Sequence, residues 1–136
     1  MNSYKHQVQY YETDKMGITH HSNYIRWMEE ARIDFLKQIG WSYDELERSC
    51  IISPVIRVDC QYKVTTTFYD IIIIQVWVKE ISGAKLKIGY EMKNNDVVVC
   101  TGYSEHCFLN KENRIISIKK LYPEFYNALL DQIKDY

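Results

Sequence analysis

The chain has 136 residues and a formal charge of −1, from 17 basic and 18 acidic side chains, with no long run of one sign. That length makes one domain spanning 1–136, and the charge balance excludes the broad basic footprint that a nucleic-acid partner requires. No apolar run approaches the ~20 residues that span a bilayer, and the polar start from Met1 to His6 lacks the apolar core of a signal peptide.

In chain order, a strand is predicted from Tyr4 to Glu12, followed by a loop that turns at Gly17. Apolar groups at Tyr24, Met28, Ala31 and Phe35, and at Ile25, Leu36 and Ile39, recur three and four apart, the spacing of a long helix resting on a core. Ser22 or Asn23 caps its start and Gly40 stops it. On its surface Glu29 with Arg32, and Arg26 with Glu30, stand at ion-pair spacing, worth about 0.2 to 0.5 kcal/mol each. A short polar excursion from Trp41 to Ser49 holds a Ser42-x-x-Glu45 cap.

Four strands are predicted next, near Ile51 to Thr67, Ile71 to Ile81, Lys85 to Lys93 and Val97 to Leu109. In the first, Ile56, Val58, Cys60, Tyr62 and Val64 alternate with polar residues; in the third, Leu86, Ile88, Tyr90 and Met92 do the same. These two read as hairpin partners, each with one wet face. Ile71 to Ile74 and Val97 to Val99 are apolar at consecutive positions, so both faces of the sheet need cover. One long helix covers one face, and a second copy of the chain is the economical cover for the rest. A short strand near Arg114 to Ile118 and a last helix from Pro123 to Lys134 complete an α+β arrangement of one antiparallel sheet on one helix.

The candidate chemistry lies where the loop enters the helix. The run from Tyr10 to Tyr24 places Asp14, Gly17 and the pair His20 and His21 directly before the helix start. A helix start leaves N–H groups unpaired and carries roughly half a positive charge, so an oxyanion or a polarised carbonyl is stabilised there. His20 reads as a surface residue, and His6 and His106 stand alone without metal spacing. Cys50, Cys60, Cys100 and Cys107 form no Cys-x-x-Cys pair, which points to reduced, packed thiols in a cytoplasmic protein with no metal and no cofactor.

The pattern Tyr11-Glu12-Thr13-Asp14-x-x-Gly17-x-x-x-His21-x-x-Tyr24, followed by Glu29-Glu30-Ala31-Arg32, resembles the hotdog-fold acyl-CoA thioesterases of the 4-hydroxybenzoyl-CoA thioesterase family. The resemblance implies a curved antiparallel sheet wrapped around one long central helix, with the site at a subunit boundary of a homodimer or homotetramer. It implies hydrolysis of an acyl-CoA substrate, with Asp14 as the catalytic carboxylate and the backbone at the His21 helix start as the oxyanion donor. Gly17 is the family's turn glycine; with Tyr24, one turn from the site, it is assigned to substrate contact. His21 joins Asp14 as a catalytic residue, through its ring or its backbone alone.

Where relatives carry an Arg-Pro-Ala-type stretch and Gly-Asp, this chain has Lys63 to Thr67, Phe68, Tyr69 and Asp70, so Asp70 keeps the register and Tyr69 replaces the small turn residue. Lys85 and Lys87 share a strand face that suits either solvent or coenzyme A phosphates. The rival expectations are a dehydratase of acyl thioesters, an acyl-carrier-protein thioesterase, and a non-catalytic acyl-CoA or acyl-carrier binding module.

Overall fold

The computed structural model describes residues 1–134. Five strands form one antiparallel sheet: β1 (Tyr4–Gln7), β2 (Val55–Tyr62), β3 (Ile71–Ile81), β4 (Lys85–Asn94) and β5 (Val97–Cys107), in the order β1-β3-β4-β5-β2. Helix α1 (Ser22–Gln38) lies across the sheet, with α2 (Tyr43–Arg48), α3 (Ile118–Leu121) and α4 (Pro123–Leu130) at its margins. The fold class is the expected one.

The three-and-four stripe of α1 is its buried face. Tyr24, Trp27, Met28, Ala31 and Phe35 are all 4% exposed or less and join one core with Ile72 and Ile74 of β3 and Ile88, Tyr90 and Met92 of β4. Burying each large apolar side chain contributes about 1.5 to 3 kcal/mol. A close approach is built in at Gly102 of β5. A Cβ there would stand 2.6 Å from Met28 Cε and closer still to the carbonyl oxygen of Asp59, so the helix settles on the sheet only over glycine. The helix stops as the Gly40 signal requires: Gly40 N–H donates to Lys37 O and Trp41 N–H to Leu36 O.

Several expectations are corrected. The first strand ends at Gln7, and Tyr10–Glu12 forms a 3-10 turn, because the Glu12 carboxylate reaches back to the Gln9 N–H and closes the chain on itself. The cap of the helix lies earlier than expected: His21, one residue before Ser22 and two before Asn23, is the N-cap without a side-chain bond, and Ser22 and Asn23 lie inside the helix. β2 and β4 are not hairpin partners; β5 lies between them and pairs with both. Around Arg114 to Ile118 there is only an isolated bridge from Ile115 to Leu109, since Ser117 caps α3 instead. The last helix ends at Leu130, where Asp131 caps it, and Gln132 O and Lys134 N–H then bond to Val78. Neither expected ion pair on α1 forms: Glu30 turns to His6 and Tyr4, and Arg32 to His106.

Consecutive apolar residues do face both ways, but the outward ones remain open, with Ile71 47% and Val97 51% exposed. The alternation in β2 also leaves Val58 and Tyr62 half exposed, because β2 is the sheet's edge and α1 does not close over it. All four cysteines are free; Cys100 is buried and the others are half-buried. Among the described residues no helix is long and apolar enough to cross a membrane.

Candidate active site

Everything at the loop before α1 is anchored on Glu12. Its side chain is buried, with Oε1 accepting from Gln9 N–H at 2.8 Å and facing His6 Nε2 at 2.8 Å, and Oε2 accepting from Trp27 Nε1 at 2.7 Å. Burial alone would raise its pKa. The Gln9 N–H, His6 and Trp27 outweigh that and hold it below the usual carboxylate range. Sequence reasoning gave Glu12 no role and left His6 alone. In fact His6 sits between Glu12 and Glu30, with its ring 4.7 Å from that of Trp27.

From this anchor the chain makes a narrow loop. Thr13 bridges Thr19, Asp14 N–H donates to Ile18 O, and Gly17 N–H donates to Asp14 O. Gly17 has a φ of +79, in the left-handed region that favours glycine, and an added Cβ would meet nothing within 4 Å; backbone conformation rather than crowding selects the residue. The loop is pinned to the segment after β2. Thr67 Oγ1 donates to Gly17 O at 2.7 Å, Thr19 N–H donates to Thr66 O, and the two hydroxyls of Thr19 and Thr66 are 2.6 Å apart. Asp70 then closes its own turn by accepting from Thr67 N–H, with Tyr69 at a φ of +76.

The four expected site residues fall in two groups. Asp14, Gly17 and His21 lie on the loop at the surface, whereas Tyr24 is 4% exposed with its hydroxyl 2.9 Å from Thr66 Oγ1. Burial raises the Tyr24 pKa, so the hydroxyl keeps its proton. Asp14 Oδ1 accepts from Met16 N–H at 2.8 Å, which leaves Oδ2 without a partner among the described residues. No hydrogen bond joins Asp14 to His21 among those residues. The His21 ring stacks on His20 at 4.3 Å, and its carbonyl accepts from the Tyr62 hydroxyl at 3.2 Å.

At the helix start, Ser22 N–H points to His20 Nδ1, Asn23 N–H donates to His20 O and Tyr24 N–H to His21 O. The His21 N–H alone in this turn has no acceptor among the described residues. A free donor at the positive end of a 17-residue helix suits a negatively charged or polarised oxygen. Of the two lysines weighed for phosphate, Lys87 lies 4.2 Å from the centre of the Tyr103 ring and 3.9 Å from Glu105, while Lys85 is exposed.

A family model described as the thioesterase-like superfamily matches residues 8–133. The chain belongs to the thioesterase-like superfamily. It is 31% identical over 124 residues to Bacillus subtilis YneP, provisionally named an acyl-CoA thioesterase, covering 90% of each chain. A DHNA-CoA thioesterase from Staphylococcus aureus superposes with a TM-score of 0.90 at 29% identity, over 96% of this chain and 89% of that one. A crystal structure of a hypothetical protein from Aquifex aeolicus gives a TM-score of 0.87 at 31% identity, covering 93% and 98%. The curled sheet on its central helix is thus the hotdog fold, and the protein is a thioester hydrolase.

Proposed function

We propose that this thioesterase cleaves acyl-CoA, using the His21 N–H as oxyanion donor and Asp14 as general base or nucleophile. The observation that supports the reading is the pairing, on one loop, of a helix-start N–H with no acceptor and a carboxylate with one oxygen unspent among the described residues. The thioester oxygen accepts from His21 N–H, and the charge that develops on it is stabilised by the start of α1. Met16 N–H holds Asp14 Oδ1 and so aims Oδ2. Oδ2 either takes a proton from water attacking the carbonyl carbon, so that collapse expels the coenzyme A thiolate and the proton passes to it, or attacks that carbon itself, expelling the thiolate and leaving an acyl anhydride on Asp14. Water then adds to the Asp14 carbonyl carbon of that anhydride, which frees the acid and restores the carboxylate, and the water's proton goes to the thiolate. Relatives named for CoA thioesters support the substrate class, and the acyl-CoA pool and free thiols favour a cytoplasmic setting.

The test is thiol release from a panel of short, medium, long and aromatic acyl-CoAs. Asp14→Asn is expected to fold with an unchanged melting temperature and lose about a hundredfold in kcat. A single turnover in oxygen-18 water then separates the two roles: label in the Asp14 carboxylate marks attack, and label only in the product marks base catalysis. One observation favours a rival role for Asp14, since its bond to Met16 caps its own turn. On that reading Asp14→Asn keeps its turnover and melts earlier.

The site is read as completed by a second copy. Of the two sheet edges, β1 is four residues long and polar, whereas β2 is eight residues long with Val55, Ile56, Val58 and Tyr62 exposed. Such an edge is the natural place for another β2 to pair.

A further inference from the structure

Three turns past its start, α1 meets a buried polar chain that the reaction above leaves unused. Arg32 Nη1 lies 3.0 Å from His106 Nδ1, His106 Nε2 lies 2.7 Å from Ser104 Oγ, and Ser104 Oγ lies 2.7 Å from the Tyr90 hydroxyl. His106, Ser104 and Tyr90 are 0%, 4% and 1% exposed. A guanidinium only donates, so His106 Nδ1 is the acceptor and the ring carries its proton on Nε2, directed at Ser104. Burial first, and then Arg32, hold the His106 pKa down to about 3, which keeps the ring neutral.

Counting protons along this chain leaves donors to spare. Between the Ser104 and Tyr90 hydroxyls one proton is shared, and the other has no acceptor among the described residues. Arg32 offers five N–H groups and, among the described residues, spends one, on a neutral partner. These same four side chains line a cavity of about 40 Å³ between α1 and β2, walled on its apolar side by Ile25, Met28 and Val58. Glu29 is the one carboxylate on its lining, and it is exposed and accepts from none of them. The volume holds about three water-sized atoms. Along the helix axis Ile25 lies about 6 Å from the His21 start and Arg32 about 16 Å.

We infer that this cavity receives the far end of the acyl chain, where Arg32 and Ser104 select acyl groups that carry a hydroxyl or carboxylate oxygen there. The inference rests on the acyl-CoA reading, with the thioester carbonyl at His21. An oxygen there accepts the surplus N–H and O–H groups. A methyl end displaces their water and leaves them unpaired, which is the stronger source of discrimination. Arg32 and Ser104 are specificity residues; neither takes part in bond breaking.

Matched CoA thioesters of octanoate, omega-hydroxyoctanoate and suberate, and the corresponding set two methylenes longer, give the test. In the unaltered protein kcat/KM is expected to favour the oxygen-ended member of a set over the methyl-ended one by about tenfold or more. Arg32→Met, which keeps the apolar stem, is expected to bring the carboxylate-to-methyl ratio towards one, and Ser104→Ala to lower the hydroxyl-to-methyl ratio. Equal kcat/KM within both sets, or ratios unchanged in both variants, overturns the inference. Calorimetric binding of the matching CoA thioethers, in which a methylene replaces the thioester carbonyl so that only the far end differs, reads the same preference without turnover. Selective binding with no thioester hydrolysed removes the acyl-CoA reading and keeps the pocket; hydrolysis without preference removes the pocket alone.

Discussion

His106 and Glu12 show how much single side chains depend on their company, which for His106 comes from 74 residues away and for Glu12 from 3, 6 and 15. Both have pKa values held below the ordinary range, His106 down to about 3 by burial and Arg32. The unfolded chain then binds more protons at acid pH, so both groups contribute stability that is lost as the pH falls. For His106 the loss starts near its ordinary value of 6.5 and continues towards 3, with a slope of up to about 1.4 kcal/mol per pH unit. Glu12 adds its own loss below 4.5. Urea titrations from pH 7 to 4 are expected to show falling stability, and His106→Gln to flatten the upper part of that window. Stability independent of pH between 6.5 and 5 would contradict the neutral buried ring.

At Glu12 the carboxylate accepts from Gln9 and Trp27 through different oxygens, so Glu12→Gln must turn an amide NH₂ towards one of these donors. A loss of about 2 to 3 kcal/mol is expected, because a buried donor is left unpaired. A melting temperature matching that of the unaltered protein would show that the anchor is dispensable.

Among the elements, those governed by local periodicity were legible from sequence and those decided by long-range partners were not. The α1 stripe, the Gly40 stop, the Ser42 cap on α2 and the alternation in β4 are written within a few residues each, and the structure bears them out. Sequence order could not reveal that β5 lies between β2 and β4, since antiparallel pairing of distant strands leaves no local mark. The same holds in the candidate site. Asp14, Gly17 and His21 were readable as one motif, but Tyr24 also belongs to a stripe that must pack, and Thr66 joins it from 42 residues away. The Arg32 and His106 contact spans 74 residues, and the spacing of Glu29 and Arg32 suggested a surface pair in its place. Gly102 carried a faint signal, a glycine inside a strand. Gly102→Ala is expected to cost about 1 to 3 kcal/mol in a denaturant titration, because the Asp59 carbonyl is fixed in the β2 ladder and cannot yield.

For the whole molecule, the open β2 edge is the main unfinished surface. Light scattering at micromolar concentration is expected to give at least twice the 16.3 kDa of one chain. A charge placed on that edge, Val58→Lys, is expected to shift the population towards single chains. A monomeric mass for the unaltered protein would remove the second copy from the proposal.

The segment that holds the Gly17 loop is the direct continuation of β2. Thr66 and Thr67 grip the loop only four and five residues after Tyr62 ends the strand. If two copies meet along β2, separating them slackens the tether of the very loop that bears Asp14. Turnover per chain is then expected to drop on dilution, in step with dissociation, so that this hydrolase works at full rate only while paired.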